Sequence, residues 1–217
     1  CGKTTLLRCM CGLASPSSGT VSFKGRPVQR PRREMALVFQ DYGRALMPWM
    51  SVRGNVTFPL RRKIRSRAER RVAVERAVEA VGLSDALDAH PWQLSGGMQQ
   101  RVAIARALAY QPECLLMDEP FGSVDAQTRE DLEDLLLRLK AEFGITVAVV
   151  THDIDEAIYL GERVIVLSPS PSRVREVIDV PLGAERSQIT TKEDPKFGHL
   201  RSVVYQLLKE RDPDERS

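Results

Sequence analysis

The chain has 217 residues, 42% of them hydrophobic and 28% charged, which suits one or two domains with a packed core. Its 32 basic and 29 acidic residues leave a net charge of +3, too even to support nucleic-acid binding across the whole surface. No run of about eighteen apolar residues is present, so none of this sequence reads as a membrane-spanning helix, and no basic-then-apolar signal pattern is seen. Any membrane link is expected to run through a partner protein.

The chain opens abruptly with Cys1-Gly2-Lys3-Thr4-Thr5. Residues 4–11 read as a helix with Leu6, Leu7 and Met10 on one face. Pro16 to Gly19 then break the chain. Residues 20–23 alternate like a strand, and residues 24–27 read as a turn. Residues 35–39 form a short apolar run ending at Gln40, which fits a buried strand. Residues 41–60 hold aromatics, Gly and Pro without a clear period. A helical pattern returns over 66–81, with Val74, Val78 and Val81 on one stripe, and Gly82 closes it. The basic cluster between positions 61 and 76 reads as a solvated helix face, contact with anionic lipid or RNA being the sharper alternative.

Residues 98–109 predict another helix. Residues 114–117 are a second buried strand, running into Asp118-Glu119. A helix over 126–143 turns Leu132, Leu135, Leu136 and Leu139 inward. Residues 146–150 are a third buried strand ending at Thr151-His152, and residues 163–167 a fourth. Near-continuous apolar strands alternating with helices predict an α/β fold, a mostly parallel sheet flanked by helices. Gln40, Asp118-Glu119 and His152 follow strand ends, where such sheets bind ligands. The expected organisation is a nucleotide-binding core from 1–40 and 111–182, an inserted helical subdomain over 41–110, and a tail over 183–217. In that tail Phe197, Leu200, Val204, Leu207 and Leu208 make an amphipathic helix that docks on the core. Cys1, Cys9, Cys11 and Cys114 form no C-x-x-C pair and read as thiols in a reducing cytosol.

Three segments carry chemistry. Gly2-Lys3-Thr4 is the second half of the phosphate-binding pattern G-x-x-x-x-G-K-[ST]. Backbone N–H groups and a helix N-terminus would hold phosphates, Lys3 would reach their outer oxygens, and Thr4 would offer a hydroxyl to Mg²⁺. An apolar strand ending in Asp118-Glu119 supplies one carboxylate for Mg²⁺ and a second, Glu119, to activate water; the plainer alternative is a helix cap. Leu94-Ser95-Gly96-Gly97-Met98-Gln99-Gln100-Arg101 is a second phosphate cradle, in which two glycines free the backbone and Ser95 adds a hydroxyl.

Taken in order, Gly2-Lys3-Thr4-Thr5, Gln40, residues 94–101, residues 115–119, Ser123-Val124-Asp125 and Thr151-His152 resemble the motif series of ABC ATPases. They look like that family's Walker A end, Q-loop, signature, Walker B, D-loop and H-switch. The resemblance implies a P-loop NTPase of ABC type that binds ATP and Mg²⁺ and hydrolyses ATP. It implies a head-to-tail dimer in which Ser95, Gly96 and Gly97 of one copy cover ATP held by Gly2, Lys3, Thr4 and Thr5 of the other. Glu119, His152 and Gln40 would be catalytic, Thr4, Gln40 and Asp118 would serve the metal, and Asp125 would cross the interface. Ser-Val-Asp stands where Ala-Leu-Asp or similar is usual.

Leu46-Met47-Pro48-Trp49-Met50, Val52, Asn55-Val56, Phe58-Pro59-Leu60 and residues 152–157 resemble importer ATPases for nitrate, sulfonates and taurine. A permease partner, an external solute-binding protein acting through it, and a place on the cytoplasmic face of the membrane follow from that resemblance. A non-transport ABC ATPase of translation or DNA repair is the alternative, and the short insert between Gln40 and Ser95 lacks the long coiled coil of repair types. Because the chain opens inside the phosphate loop, the piece alone is expected to hold MgATP poorly and to be inactive.

Overall fold

The computed structural model describes residues 2–39, 42–169 and 172–209. The chain divides into two compact units, residues 4–150 and residues 151–217 with residues 1–3.

Helix α1 (Lys3–Met10) buries Leu7 against Cys11, Cys114 and Leu116, with Met10 and Phe23 packed beside them. Leu6 is 45% exposed, so the expected apolar face narrows to Leu7 and Met10. Adjacent helical positions diverge by about 100°, and a three-residue spacing is what aligns side chains. Strands β1 (Ser22–Phe23) and β2 (Arg26–Pro27) pair antiparallel. The turn between them is tighter than expected, because Lys24 and Gly25 both take positive φ, at 51° and 72°, the geometry of a two-residue hairpin.

Strand β3 (Met35–Val38) pairs parallel with β4 (Cys114–Asp118), which pairs parallel with β5 (Thr146–Val150). Every residue of the central β4 is buried, consistent with its unbroken apolar run. Between β3 and β4 the chain forms α2 (Tyr42–Ala45), α3 (Val52–Thr57), a 3₁₀ turn over Phe58–Arg62, α4 (Arg67–Ala80) and α5 (Gly96–Ala109). Ser66 caps α4, and Val74, Val78 and Val81 are all buried, as their spacing requires. Helix α6 (Ala126–Phe143) buries Leu132, Leu135, Leu136 and Leu139 and stops at Gly144, φ +60°.

Within the stretch without period, residues 47–55 are organised by one buried polar side chain. Asn55, 1% exposed, donates its amide to the carbonyls of Met47 (3.1 Å), Met50 (3.0 Å) and Ser51 (3.2 Å), while Met47 N–H donates to Asn55 Oδ1 (2.8 Å). Short helices joined this way leave no long apolar stripe to read. The basic cluster is largely engaged by its own chain. Lys63 bonds the Tyr110 carbonyl, Arg70 the Ile64 carbonyl at 2.8 Å, Arg71 pairs with Glu75, and Arg76 lies over Phe143.

In the second unit, α7 (Ile154–Leu160) leads to β6 (Arg163–Leu167), β7 (Val174–Asp179), α8 (Thr190–Glu193) and α9 (Pro195–Lys209). The run over 163–167, expected as a fourth buried strand, pairs antiparallel with β7 instead and buries one face only. Val164 and Val166 point inward, whereas Ile165 is 57% exposed. A β-branched run satisfies strand preference whether one face or both are covered, so composition did not separate the cases. Helix α9 buries Phe197, Leu200 and Val204 and packs on α7 and β6, while Leu208 stays exposed. Arg201 clamps Asp155 of α7 through two bonds of 2.6 Å.

Cys9, Cys11 and Cys114 are free thiols, and burial pushes Cys114 above the ordinary thiol range. Among the described residues no helix is long and apolar enough to cross a membrane.

Candidate functional site

At the start of α1, Gly2 takes φ +77°, and the space where a Cβ would lie is open. The first turn of α1 carries no acid, and Thr4 and Thr5 are exposed. Such an end presents the N–H groups of a first helical turn and the positive end of the helix dipole, an arrangement suited to an anion. Lys3 is half-buried and is grouped with the second unit.

The second cradle is built at the start of α5. Ser95 is the N-cap, with extended backbone and its oxygen accepting from Met98 N–H at 3.3 Å. Gln99 Nε2 reaches back to the carbonyls of Pro91 (3.0 Å) and Leu94 (3.3 Å), and Leu94 is buried. These bonds make an ordered helix entry of what the two glycines alone suggest as a flexible turn. Ser95 and Gly96 face solvent, whereas Gly97 is buried against α6.

The two acids at the end of β4 occupy different surroundings. Asp118 is 5% exposed, and among the described residues no group hydrogen-bonds its carboxylate. Glu119 continues the ladder through its N–H to the Val150 carbonyl at 2.7 Å, then turns to φ +43°. A non-glycine residue held there carries strain that the surrounding fold must offset, a feature that concentrates at functional sites. Phe121, wholly buried two residues on, anchors this turn. The alternative of a helix cap falls to Asp125, which caps α6: its carboxylate accepts from Thr128 N–H (3.0 Å) and from Thr128 Oγ1 (2.7 Å). Those two bonds hold the Asp125 carboxyl below its ordinary value of 3.8.

In the second unit His152 is exposed just ahead of α7, whose cap Asp153 accepts from Asp155 N–H (2.9 Å) and Glu156 N–H (3.2 Å). His152 lines an open groove with Arg201, Ser202 and Tyr205. Gln40 lies outside the described residues.

Within the unit of residues 4–150 the fold therefore joins the Gly97 segment to the Asp125 segment and sets Asp118 and Glu119 at the end of the central strand. Sequence reasoning placed Gln100 in the second cradle but did not foresee its burial: it is wholly buried in α5, with neither amide atom hydrogen-bonded among the described residues. It missed an apolar groove lined by residues of β3 together with Met47, Phe58, Pro59, Ala103 and Tyr110. The groove carries no spacing signal, since it is assembled from distant segments.

A family profile described as ABC transporter matches residues 1–122. The chain is 48% identical over 208 residues to the taurine import ATP-binding protein TauB of Chromobacterium violaceum, covering 94% of this chain and 79% of that protein. It is 42% identical to the nitrate import ATP-binding protein NrtD of Synechococcus elongatus, covering 97% of this chain and 77% of that one. It matches NrtC of the same organism at 42% identity but spans just 32% of that longer protein's length. Among solved structures, the dimeric post-hydrolysis state of the ATP-binding cassette MJ0796 bound to ADP and Pi superposes with a TM-score of 0.70. That pair shares 36% identity, covering 82% of this chain and 81% of the other. The chain belongs to the ABC transporter family and has the ABC-type P-loop NTPase fold. Within that family, the relatives named above are import ATP-binding proteins.

Proposed function

We propose that the chain binds and hydrolyses ATP as the motor subunit of an importer, working as a head-to-tail dimer beneath a permease. The observation that carries this reading is the end of β4, where a buried carboxylate at Asp118, with no hydrogen bond among the described residues, adjoins a conformationally strained Glu119. Phosphate chemistry needs that division of labour, one carboxylate for a cation and one for water.

Mg²⁺ fits the donors present. Thr4 offers an exposed hydroxyl and Asp118 a carboxylate lacking any other bond among the described residues, and Mg²⁺ takes hard oxygen ligands with substrate phosphates completing its shell. Bound there with ATP, it would neutralise charge developing on the phosphates. Gln40 is a third donor in this reading.

The steps follow from the chain's own groups. Backbone N–H groups from Gly2 onward and the Lys3 ammonium hold the phosphates, with Thr5 beside them. Glu119 accepts a proton from a water as its oxygen bonds the γ-phosphorus. The bond to the β–γ bridging oxygen breaks, and ADP leaves with the electron pair. His152 donates to the γ-phosphate and holds the arrangement. Ser95, Gly96 and Gly97 of the partner subunit close over the phosphates from the opposite side, and Asp125 lies at the junction between copies.

The permease contact falls on the loop that Asn55 holds. Trp49 is 71% exposed there, which argues against a role in the subdomain core. Phe58 and Phe39, also exposed, line the apolar groove between β3 and α5 together with Met47 of that loop. An exposed aromatic of this kind suits a helix from a membrane partner. The chain then sits on the cytoplasmic face of the membrane. The solute is a small one such as nitrate, taurine or a sulfonate, chosen by the permease and an external solute-binding protein.

The test is Glu119→Gln in the full-length protein. ATP turnover is expected to fall by roughly two to four orders of magnitude while ATP binding persists. Near-normal hydrolysis would remove Glu119 from this role.

A further inference from the structure

We propose that Thr128 is a positioning residue that clasps the signature glycine Gly97 to the D-loop acid Asp125, so that one subunit presents both to its partner's nucleotide as a single rigid edge. This rests on the dimer reading above. The two halves of the Thr128 side chain do different things. Its hydroxyl donates to Asp125 Oδ2 at 2.7 Å, and its N–H donates to Asp125 Oδ1 at 3.0 Å. Its γ-methyl lies where a side chain on Gly97 would be: a Cβ built there falls 2.5 Å from Thr128 Cγ2. A helix cap requires the backbone bond alone. The hydroxyl bond and the methyl contact go beyond it, and together they reach from α6 to the first turn of α5.

The geometry accounts for the residue type. A β-branched side chain in a helix is restricted at χ1, so one atom of the fork fixes the other. With Oγ1 bound to Asp125, Cγ2 is held against Gly97, and displacing either group displaces both. It also gives Gly97 a reason to be glycine distinct from any approach to phosphate, since close packing of α5 on α6 forbids a Cβ. Ser95, two residues earlier, has its oxygen committed to capping α5. The hydroxyl and glycines of the cradle are thus carried on a helix end whose position Thr128 sets, and the same residue sets Asp125.

Two measurements on the full-length protein test this. In the kinetic one, Thr128→Val keeps the methyl and loses the hydroxyl. It should lower kcat for ATP about tenfold with KM for MgATP changed less than about twofold, and adding it to Asp125→Asn should produce no further loss. Thr128→Ser, which keeps the hydroxyl but loses the methyl, should recover only part of the rate. In the second, Gly97→Ala should lower the melting temperature, and Gly97→Ala with Thr128→Ser, which removes the opposing methyl, should regain at least half of that loss. Wild-type kcat in Thr128→Val, effects that multiply in the double variant, or no regain in melting temperature would each overturn the clasp. If Thr128→Val does not fold, the melting comparison decides. Glu119→Gln run alongside separates the two claims: undiminished hydrolysis there sinks the site reading, while the melting comparison still judges the contact.

Discussion

Replacing Asn55 by Ala tests the idea that one buried amide holds the loop presented to the permease. The cost can be worked from the bonds. The Met47 carbonyl keeps the Met50 N–H at 3.0 Å, and the Ser51 carbonyl keeps the Asn55 N–H at 2.9 Å. The Met47 N–H and the Met50 carbonyl lose the partners that Asn55 supplied. Leaving a buried polar group unpaired costs about 1–3 kcal/mol. Met47 and Met50 are half-buried, so water reaches part of the gap and the lower end applies. A loss of about 2–4 kcal/mol results, offset by roughly 0.5 kcal/mol from the better helix propensity of Ala. The net cost is then about 1.5–3.5 kcal/mol, and at about 2–4 °C per kcal/mol for a chain of this size the melting temperature should fall by roughly 3–14 °C. Below the new transition, ATP hydrolysis without the permease should persist, because Asn55 touches none of the phosphate motifs, while stimulation by the permease should drop. A melting temperature within about 2 °C of wild type would refute the reasoning, and so would unchanged stimulation in a destabilised protein.

A heterodimer of a Lys3→Ala subunit with a Ser95→Arg subunit should retain one intact composite site, and hence more ATPase activity than either mutant homodimer; activity no higher would rule out the head-to-tail arrangement. Trp49→Ala should leave basal hydrolysis and melting largely unchanged but weaken permease binding by at least about 2 kcal/mol, as a central interface aromatic does, measured by co-purification and stimulated ATPase. Thr128 holds the Asp125 carboxyl below its ordinary 3.8, so the charged cap adds stability that is present above about pH 4 and is lost as pH falls through the lower folded value. Acid melting curves of wild type and Asp125→Asn should therefore converge at low pH, and parallel curves throughout would exclude this linkage.

Much of the candidate site was legible because its chemistry lies in contiguous runs. Two glycines after a serine, or two acids after an apolar strand, announce themselves by residue type and order, and the fold sets Ser95 at the head of α5 and Asp118 at the end of β4. Long elements were equally readable. The stripe of Val74, Val78 and Val81 and the four leucines of α6 repeat at helical spacing, and burial follows that spacing. Leu6 and the strand at 163–167 were misjudged for a shared reason: hydrophobicity marks a residue as fit for burial without saying whether anything arrives to cover it.

The order of chemical groups along the chain, the alternation of strands with helices and the family were determined by the sequence alone, since each depends on neighbours within a few residues. What the tertiary structure decided depends on residues far apart. It gave Glu119 a left-handed backbone at the end of β4 through the Val150 carbonyl, and it drew Asn55 under a loop eight residues earlier. It also set the methyl of Thr128 against Gly97 across two helices. Local propensity encodes none of these, because each is fixed by how separate elements pack, and close packing makes a single methyl group in one helix a constraint on the backbone of another.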